Sequence, residues 1–245
     1  MNPPSPSSDP GAQPFAVEVI TLIPQLWPAW LHPSSGLVGR AFGAGRATLT
    51  VGDLRAFGRG PHRQVDDSPF GGGAGMVLCA PPLHEAIAQA RARTPGPVLL
   101  LAPRGKPWSQ QRAEQLAAGP GMTLVCGRYE GFDERAYAYG DDTVALGDFV
   151  MTAGDPAALC LIDTVVRLLP NVVGNPASLV DESFTRGGLE YPQYTRPVSY
   201  EGHTVPEVLR GGNHRAIEAW REAEARALTL RHRPDLAAKG RAKGF

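Results

Sequence analysis

The chain has 245 residues, 24 Lys plus Arg against 24 Asp plus Glu, and hence a formal net charge of zero. That balance excludes a protein that coats nucleic acid by charge alone, though not an enzyme that grips one RNA feature. Hydrophobic residues make up 42%, enough for a packed core and too many for a disordered chain.

The length suits one large or two modest domains. No apolar run approaches the ~20 residues of a membrane span, so no membrane partner is expected. Residues 1–14 are rich in Pro and Ser and have no basic start followed by an apolar core. They predict a disordered extension, not a signal peptide. Cys79, Cys126 and Cys160 lie far apart. Their spacing fits neither a metal site nor a disulfide framework, and a cytoplasmic location follows as the expectation.

Ala16–Ile23 and Ala47–Val51 predict strands. Pro82–Arg93 has helical periodicity, and Val98–Ala102 is a short apolar run of the buried parallel-strand kind. Ser109–Ala118 is a second helical stretch, Met122–Cys126 another buried strand, and Thr143–Leu146 a weaker one. Ala157–Leu169 predicts a helix capped by Asp155, opened by Pro156 and stopped by Pro170. Strands alternating with helices imply an α/β domain over 15–170 with a largely parallel sheet. Composition changes near Asn171, and 171–188 predicts an interdomain linker. Beyond it, 189–245 predicts a small, mostly helical domain with one long helix, Asn213–Leu230, capped by Asn213. From Leu189 on there are ten Lys/Arg and seven Asp/Glu, a difference of +3, a mild bias that suits RNA and also suits a solvated helix.

Four segments carry chemistry. Asp66–Met76 holds four glycines in the five positions from Gly71 to Gly75, which let backbone approach a ligand closely. No Lys-Ser/Thr follows them, so a P-loop is excluded. Leu101-Ala102-Pro103-Arg104-Gly105 ends an apolar strand, where ligands gather in open α/β sheets, and its Pro and Gly predict a sharp turn. Cys126–Arg135 crowds charges between glycines. A salt-bridged helix start explains Asp133, Glu134 and Arg135 but leaves Arg128 and Glu130 to face a ligand or a base edge. Leu146–Gly154 offers small residues that leave a slot for a flat ring.

In this order these segments resemble the bacterial tRNA (guanine-N1)-methyltransferase family, TrmD, of the SPOUT, trefoil-knot class. The likeness spans roughly Ala16 to Leu236. It rests on Val65–Met76, Val125–Arg135, Gly147–Asp148, Leu161–Arg167, Pro-Gln-Tyr-Thr-Arg-Pro at Pro192–Pro197, and Gly212-Asn213-His214. The resemblance implies an α/β fold with a largely parallel sheet, a C-terminal trefoil knot and a small helical tRNA-binding domain. The implied donor is S-adenosyl-L-methionine, held by Leu100, Leu101, Pro103 and Gly105, by Gly127, Tyr129 and Gly131, and by Leu146, Gly147, Phe149, Met151 and Gly154. Asp66, Gly73, Glu130, Arg196 and His214 would meet the RNA. The implied substrate is tRNA with guanine at position 37 preceded by guanine, handled by a homodimer with shared active sites. The family is associated with Mg2+, although no metal-ligand spacing in this chain demands it.

Methylating guanine N1 requires loss of a proton far less acidic than a carboxylic acid's, so a lone general base is poorly matched. By resemblance Arg167 stabilises charge on O6 and a carboxylate of the 181–182 pair takes the proton. The family's acid-Asp-Ser-Phe motif is Asp181-Glu182-Ser183-Phe184 here, which makes Glu182 the base by register and Asp181 the second choice. The chain also carries Ala102-Pro103-Arg104-Gly105 for Ser-Pro-Gln-Gly, Ala153-Gly154 for Gly-Gly and Phe149 for tyrosine. Two rival expectations are a binding relative that lost catalysis and a knot-class enzyme acting on ribose or another RNA. A metabolic nucleotide enzyme lacks its phosphate loop.

Overall fold

The computed structural model describes residues 13–179, 181–185 and 187–241. Of the extension expected over 1–14, all but Gln13 and Pro14 lie outside the described residues. The chain divides between Gly174 and Asn175 into two compact units, within the segment whose composition predicts a linker.

The first unit begins with β1 (Phe15–Thr21), the short α1 (Trp27–Trp30), α2 (Leu37–Gly43) and β2 (Ala47–Asp53). A small antiparallel ribbon follows, β3 (Asp66–Asp67) against β4 (Val77–Leu78). Then come α3 (Ala80–Arg93), β5 (Val98–Pro107), α4 (Gln110–Ala117), β6 (Gly121–Cys126), β7 (Asp142–Ala145) and α5 (Asp155–Val166). The sheet is wholly parallel, in the order β2-β1-β6-β5-β7. Every strand therefore delivers its following loop to the same edge, where ligands of open α/β sheets bind.

Both faces are covered, which is why the central strands read as unbroken apolar runs. Val17, Val19, Leu99, Leu101, Met122 and Leu124 pack on one face with α1, α2, α4 and α5. Ile20, Val98, Leu100 and Val125 pack on the other with α3, Leu54, Leu78 and Phe132. From α5 alone, Leu161, Ile162, Val165 and Val166 are fully buried, each contributing roughly 1.5–3 kcal/mol of apolar burial. A fully buried acid, Glu18, sits among these residues on β1. It accepts from Arg93 Nη2 at 2.5 Å and from Thr94 Oγ1 at 2.6 Å, so its charge is paired and hydrogen-bonded as burial requires.

Two local expectations are corrected. The residue pattern predicts a sharp turn at Leu101–Gly105. Instead β5 runs on to Pro107, and Leu101 and Lys106 both pair with Val144 of β7, so 102–105 bulge from the strand. A Cβ at Gly105 would lie 2.5 Å from the Val144 backbone, which explains the glycine. Asp155 does not cap α5: Gly154 occupies the N-cap without a side-chain bond, and Asp155 is turned inward.

The second unit contains a ribbon of β8 (Ser199–Tyr200) against β9 (His203–Thr204), then α6 (His214–His232) and α7 (Pro234–Arg241). Asn213 caps α6 as expected, its Oδ1 accepting from Ala216 N at 3.2 Å. Thr229 of α6 is buried; its Oγ1 donates to Ala225 O at 2.7 Å and accepts from Leu189 N at 2.8 Å.

Candidate active site

Three segments meet at the carboxyl edge of the sheet: the 102–105 bulge, the turn after β6, and the long loop between β7 and α5. Backbone bonds lock the last two together. Arg128 and Ala153 form an antiparallel bridge, and Gly154 N donates to Gly127 O at 2.7 Å. A Cβ at Gly154 would fall 2.7 Å from Gly127 N, and one at Gly127 would fall 2.9 Å from Leu101 O. Glycine is needed at both positions because backbone lies directly against backbone.

These loops enclose a cleft of about 170 Å3. All the residues expected around the donor line it except Leu100 and Gly105. Leu100 points to the opposite face of the sheet, into the core with Leu83 and Phe132, because successive strand residues alternate sides. Gly105 packs on β7. Arg128, Val144, Ala145, Val150, Thr152, Ala153 and Ala157 join the lining. Arg128 carries a signal that sequence reasoning noticed but did not assign; the small and apolar residues carry none. Tyr129 and Phe149 are about half exposed there, two rings open to a flat partner. Tyr129 has φ of 57°, a left-handed backbone that costs a non-glycine residue of order 1–3 kcal/mol and recurs at ligand sites.

Glu130 stands beside the glycine-rich loop. Its backbone N donates to Met76 O at 2.9 Å, and Leu78 N donates to Gly131 O at 2.9 Å. Any side chain on Gly75 would collide with the Glu130 carboxylate, and Gly71, Gly72, Gly73 and Gly75 all have positive φ. The loop thus turns over the β3–β4 ribbon and brings Asp66 and Gly73 onto the same body as Glu130. Phe70, near its tip, is fully exposed.

Behind the cleft the chemistry is buried. The Asp155 carboxylate accepts from Thr21 Oγ1 at 2.5 Å and from Trp27 Nε1 at 3.3 Å. Its second oxygen lies 3.9 Å from Arg128 Nε. Burial, and then the charge of Asp155, push the Cys126 thiol well above its ordinary value. It stays protonated at neutral pH and is no nucleophile. Arg135 hydrogen-bonds Asp133 and holds its carboxyl below the usual range, the salt-bridged helix start anticipated for these residues.

The remaining expected residues are placed elsewhere. Arg167 is half-buried at the C-cap of α5, where the helix dipole favours a cation, and it does not line the cleft. Asp181 and Glu182 belong to the second unit. There they line a cavity of about 430 Å3 with Glu190, Glu218, Arg221 and Arg226, among others. Arg221 lies over the Tyr191 ring at 4.6 Å. Arg196 and His214 are exposed on the same unit.

A parallel α/β sheet whose carboxyl-edge loops close on a backbone-walled cleft is the arrangement in which open α/β proteins bind their ligands. A family model described as tRNA (Guanine-1)-methyltransferase TrmD matches residues 15–239. A tRNA (guanine-N(1)-)-methyltransferase of Cereibacter sphaeroides is 50% identical over 238 residues, covering 93% of this chain and 95% of that protein. One of Sorangium cellulosum is 47% identical over 250 residues, covering 92% and 94%. One of Anaeromyxobacter sp. is 50% identical over 228 residues, covering 92% and 91%. The chain belongs to the tRNA (guanine-1)-methyltransferase TrmD family.

Proposed function

We propose that this chain is the methyltransferase that moves the methyl group of S-adenosyl-L-methionine to N1 of guanine 37 in tRNAs where a guanine precedes it. The observation that carries the reading is the cleft itself, where the three loops expected to hold the donor meet in one wall beside Glu130. The near-half identity to proteins named tRNA (guanine-N(1)-)-methyltransferase, across more than nine-tenths of the chain, supports the methyl transfer to guanine N1 of tRNA.

The residues present fit the donor. Gly127 and Gly154 let the backbone of the two loops itself form the wall, with no side chain in the way, and Tyr129 and Phe149 offer rings to a purine face. The donor supplies an electrophilic methyl on sulfur; the chain's task is to align it with N1, which is chiefly positioning. Glu130 accepts from the guanine N–H edge. The base must leave its stack to reach the cleft. Arg167 stabilises negative charge developing on O6, and Glu182 accepts the N1 proton, with Asp181 as the alternative.

The same reading makes β5 to α5 a trefoil knot, the protein a homodimer, and the second unit the holder of tRNA against the partner's cleft. It makes 171–188 the connection between the catalytic and tRNA-binding parts, and the cytoplasm the place of work. Among the described residues no helix is long and apolar enough to cross a membrane. Among those residues no cluster of three or more His, Cys, Asp or Glu is gathered to hold a metal, and a Mg2+ ion of the kind the family is associated with would share its ligands with substrate oxygens and water.

The test is methyl transfer from labelled S-adenosylmethionine to a tRNA transcript with guanines at positions 36 and 37, using wild type, Glu182→Ala and Asp181→Ala. N1-methylguanine from wild type, with turnover lost only in the Glu182 variant, supports both substrate and base. An inactive wild type that still binds the transcript points to a binding relative instead.

A further inference from the structure

The buried acid behind the cleft has no part in the mechanism above. Asp155 is 0% exposed, yet only one of its carboxylate oxygens is satisfied by Thr21 and Trp27. Among the described residues no N–H or O–H group donates to the other, Oδ2, and the buried Nε of Arg128 that faces it at 3.9 Å donates to none; the only further neighbour bonded to the carboxylate there is the weak thiol donor of Cys126. Two opposite charges therefore face one another across a gap about an ångström longer than a charge-assisted hydrogen bond. Little water screens them there.

We propose that Asp155 is a positioning residue for the donor cleft, which sets the Arg128 side chain and through it the wall formed by 127–131 and 150–154. The proposal rests on the reading of the cleft as the donor site. Four observations join Asp155 to that wall. It is the first residue of α5, whose N-terminal dipole favours a carboxylate. It is anchored to β1 and α1 through Thr21 and Trp27, so it is a fixed point. Its target, Arg128, lines the cleft and bridges to Ala153. The next residue is the left-handed Tyr129, whose strained backbone keeps its geometry only if its neighbours are held. Taking the carboxylate away frees the guanidinium to turn toward water, since its side chain is already 30% exposed. The 127–131 turn then loses its tether on the inner side.

Asp155→Asn is the discriminating variant. Its amide oxygen still accepts from Thr21 and Trp27, so the anchor survives. Its amide nitrogen, a donor, now faces the Arg128 Nε donor and holds nothing. Calorimetric titration of the full chain with S-adenosylmethionine is expected to show about tenfold weaker binding. KM for tRNA should be nearly unchanged, and the melting temperature should stay close to wild type. In the Arg128→Lys background the same change should add almost nothing, because the two residues act as one unit. If Asp155→Asn lowers the melting temperature and leaves donor affinity intact, the residue is merely structural and the proposal is overturned. Additive effects of the two changes overturn it as well. A wild type that binds no donor at all would remove the cleft reading, and the inference with it.

Discussion

The two units of this chain are built on opposite principles. In the first, a parallel sheet is covered on both faces and whole side chains such as Leu124, Leu161 and Ile162 vanish from solvent. In the second, only Gly188 and Thr229 are buried among the described residues. Its contacts are those of a surface: Arg221 on Tyr191, Arg233 beside Phe184, and a threonine hydroxyl tying a loop to α6. A domain that buries so little apolar area is marginal by itself. The difference teaches where precision resides. The cleft that needs backbone-to-backbone fit stands on the dense sheet, whereas the acid pair belongs to the unit that has least to hold it.

That division can be broken most forcefully by catalysis. Glu182→Ala is expected to lower turnover at least ~100-fold, the size of a lost general base, with donor affinity unchanged in titration. Gly154→Ala should do the reverse, because a methyl 2.7 Å from Gly127 N forces the two loops apart. Equal loss of donor binding in both variants would mean that the units do not share the labour this way. Stability provides the next contrast. Leu161→Ala should cost about 2–5 kcal/mol in chemical denaturation, a cavity in a dense core. In the second unit an apolar gain should hurt instead. Thr229→Val removes the acceptor of Leu189 N and the donor to Ala225 O, which costs roughly 0.5–1.5 kcal/mol for a half-buried hydrogen bond. Limited proteolysis should then cut beyond Asn175 sooner than in wild type.

The same contrast governs what could be read beforehand. β5 and β6 are legible because buried parallel strands are written as apolar runs, and α6 because Asn213 and the glycines before it punctuate its start. The facing of Leu100 is not legible, since a run apolar on both sides hides its alternation. Glu18 is invisible for the opposite reason. One acid in β1 reads as a solvent-facing residue until Arg93, far along the chain, arrives to pair with it. Asp155 misleads because local grammar makes an acid beside a Pro-started helix a cap, and only Thr21, Trp27 and Arg128 turn it inward. The site itself is legible as motifs. The stitching of Glu130 to the glycine-rich loop is not, because it is made by backbone atoms that every residue shares.

A smaller effect sharpens the view of the cleft's rim. Phe70 is fully exposed on a loop whose glycines fix its path and whose neighbour is Glu130. An apolar ring in such a place suits an unstacked base. Phe70→Ala should raise KM for tRNA about tenfold with donor affinity unchanged, and Phe70→Trp should restore it. An unchanged KM would leave the ring as an ordinary surface residue.

The smallest expected effect concerns acid. Arg91 hydrogen-bonds Asp141 and keeps its carboxyl below the ordinary range, helped by Val98 N, which donates to it at 2.7 Å. Asp133 is lowered in the same direction by Arg135. Both groups are lowered in the folded chain, so their stabilisation is complete above the unfolded value of ~4 and is lost as pH falls through the folded values. Melting temperature followed downward from pH 6 should therefore stay level and then drop below about pH 4. Asp235 is lowered likewise by Arg233; Asp141→Asn removes one of the protons taken up and should make that drop shallower, from a slightly lower starting point. Because Asp141 is nearly half exposed, solvent screens the pair and the change should be a few degrees at most. A drop of unaltered steepness would show that the acid limb belongs to other carboxylates, Asp133 first among them.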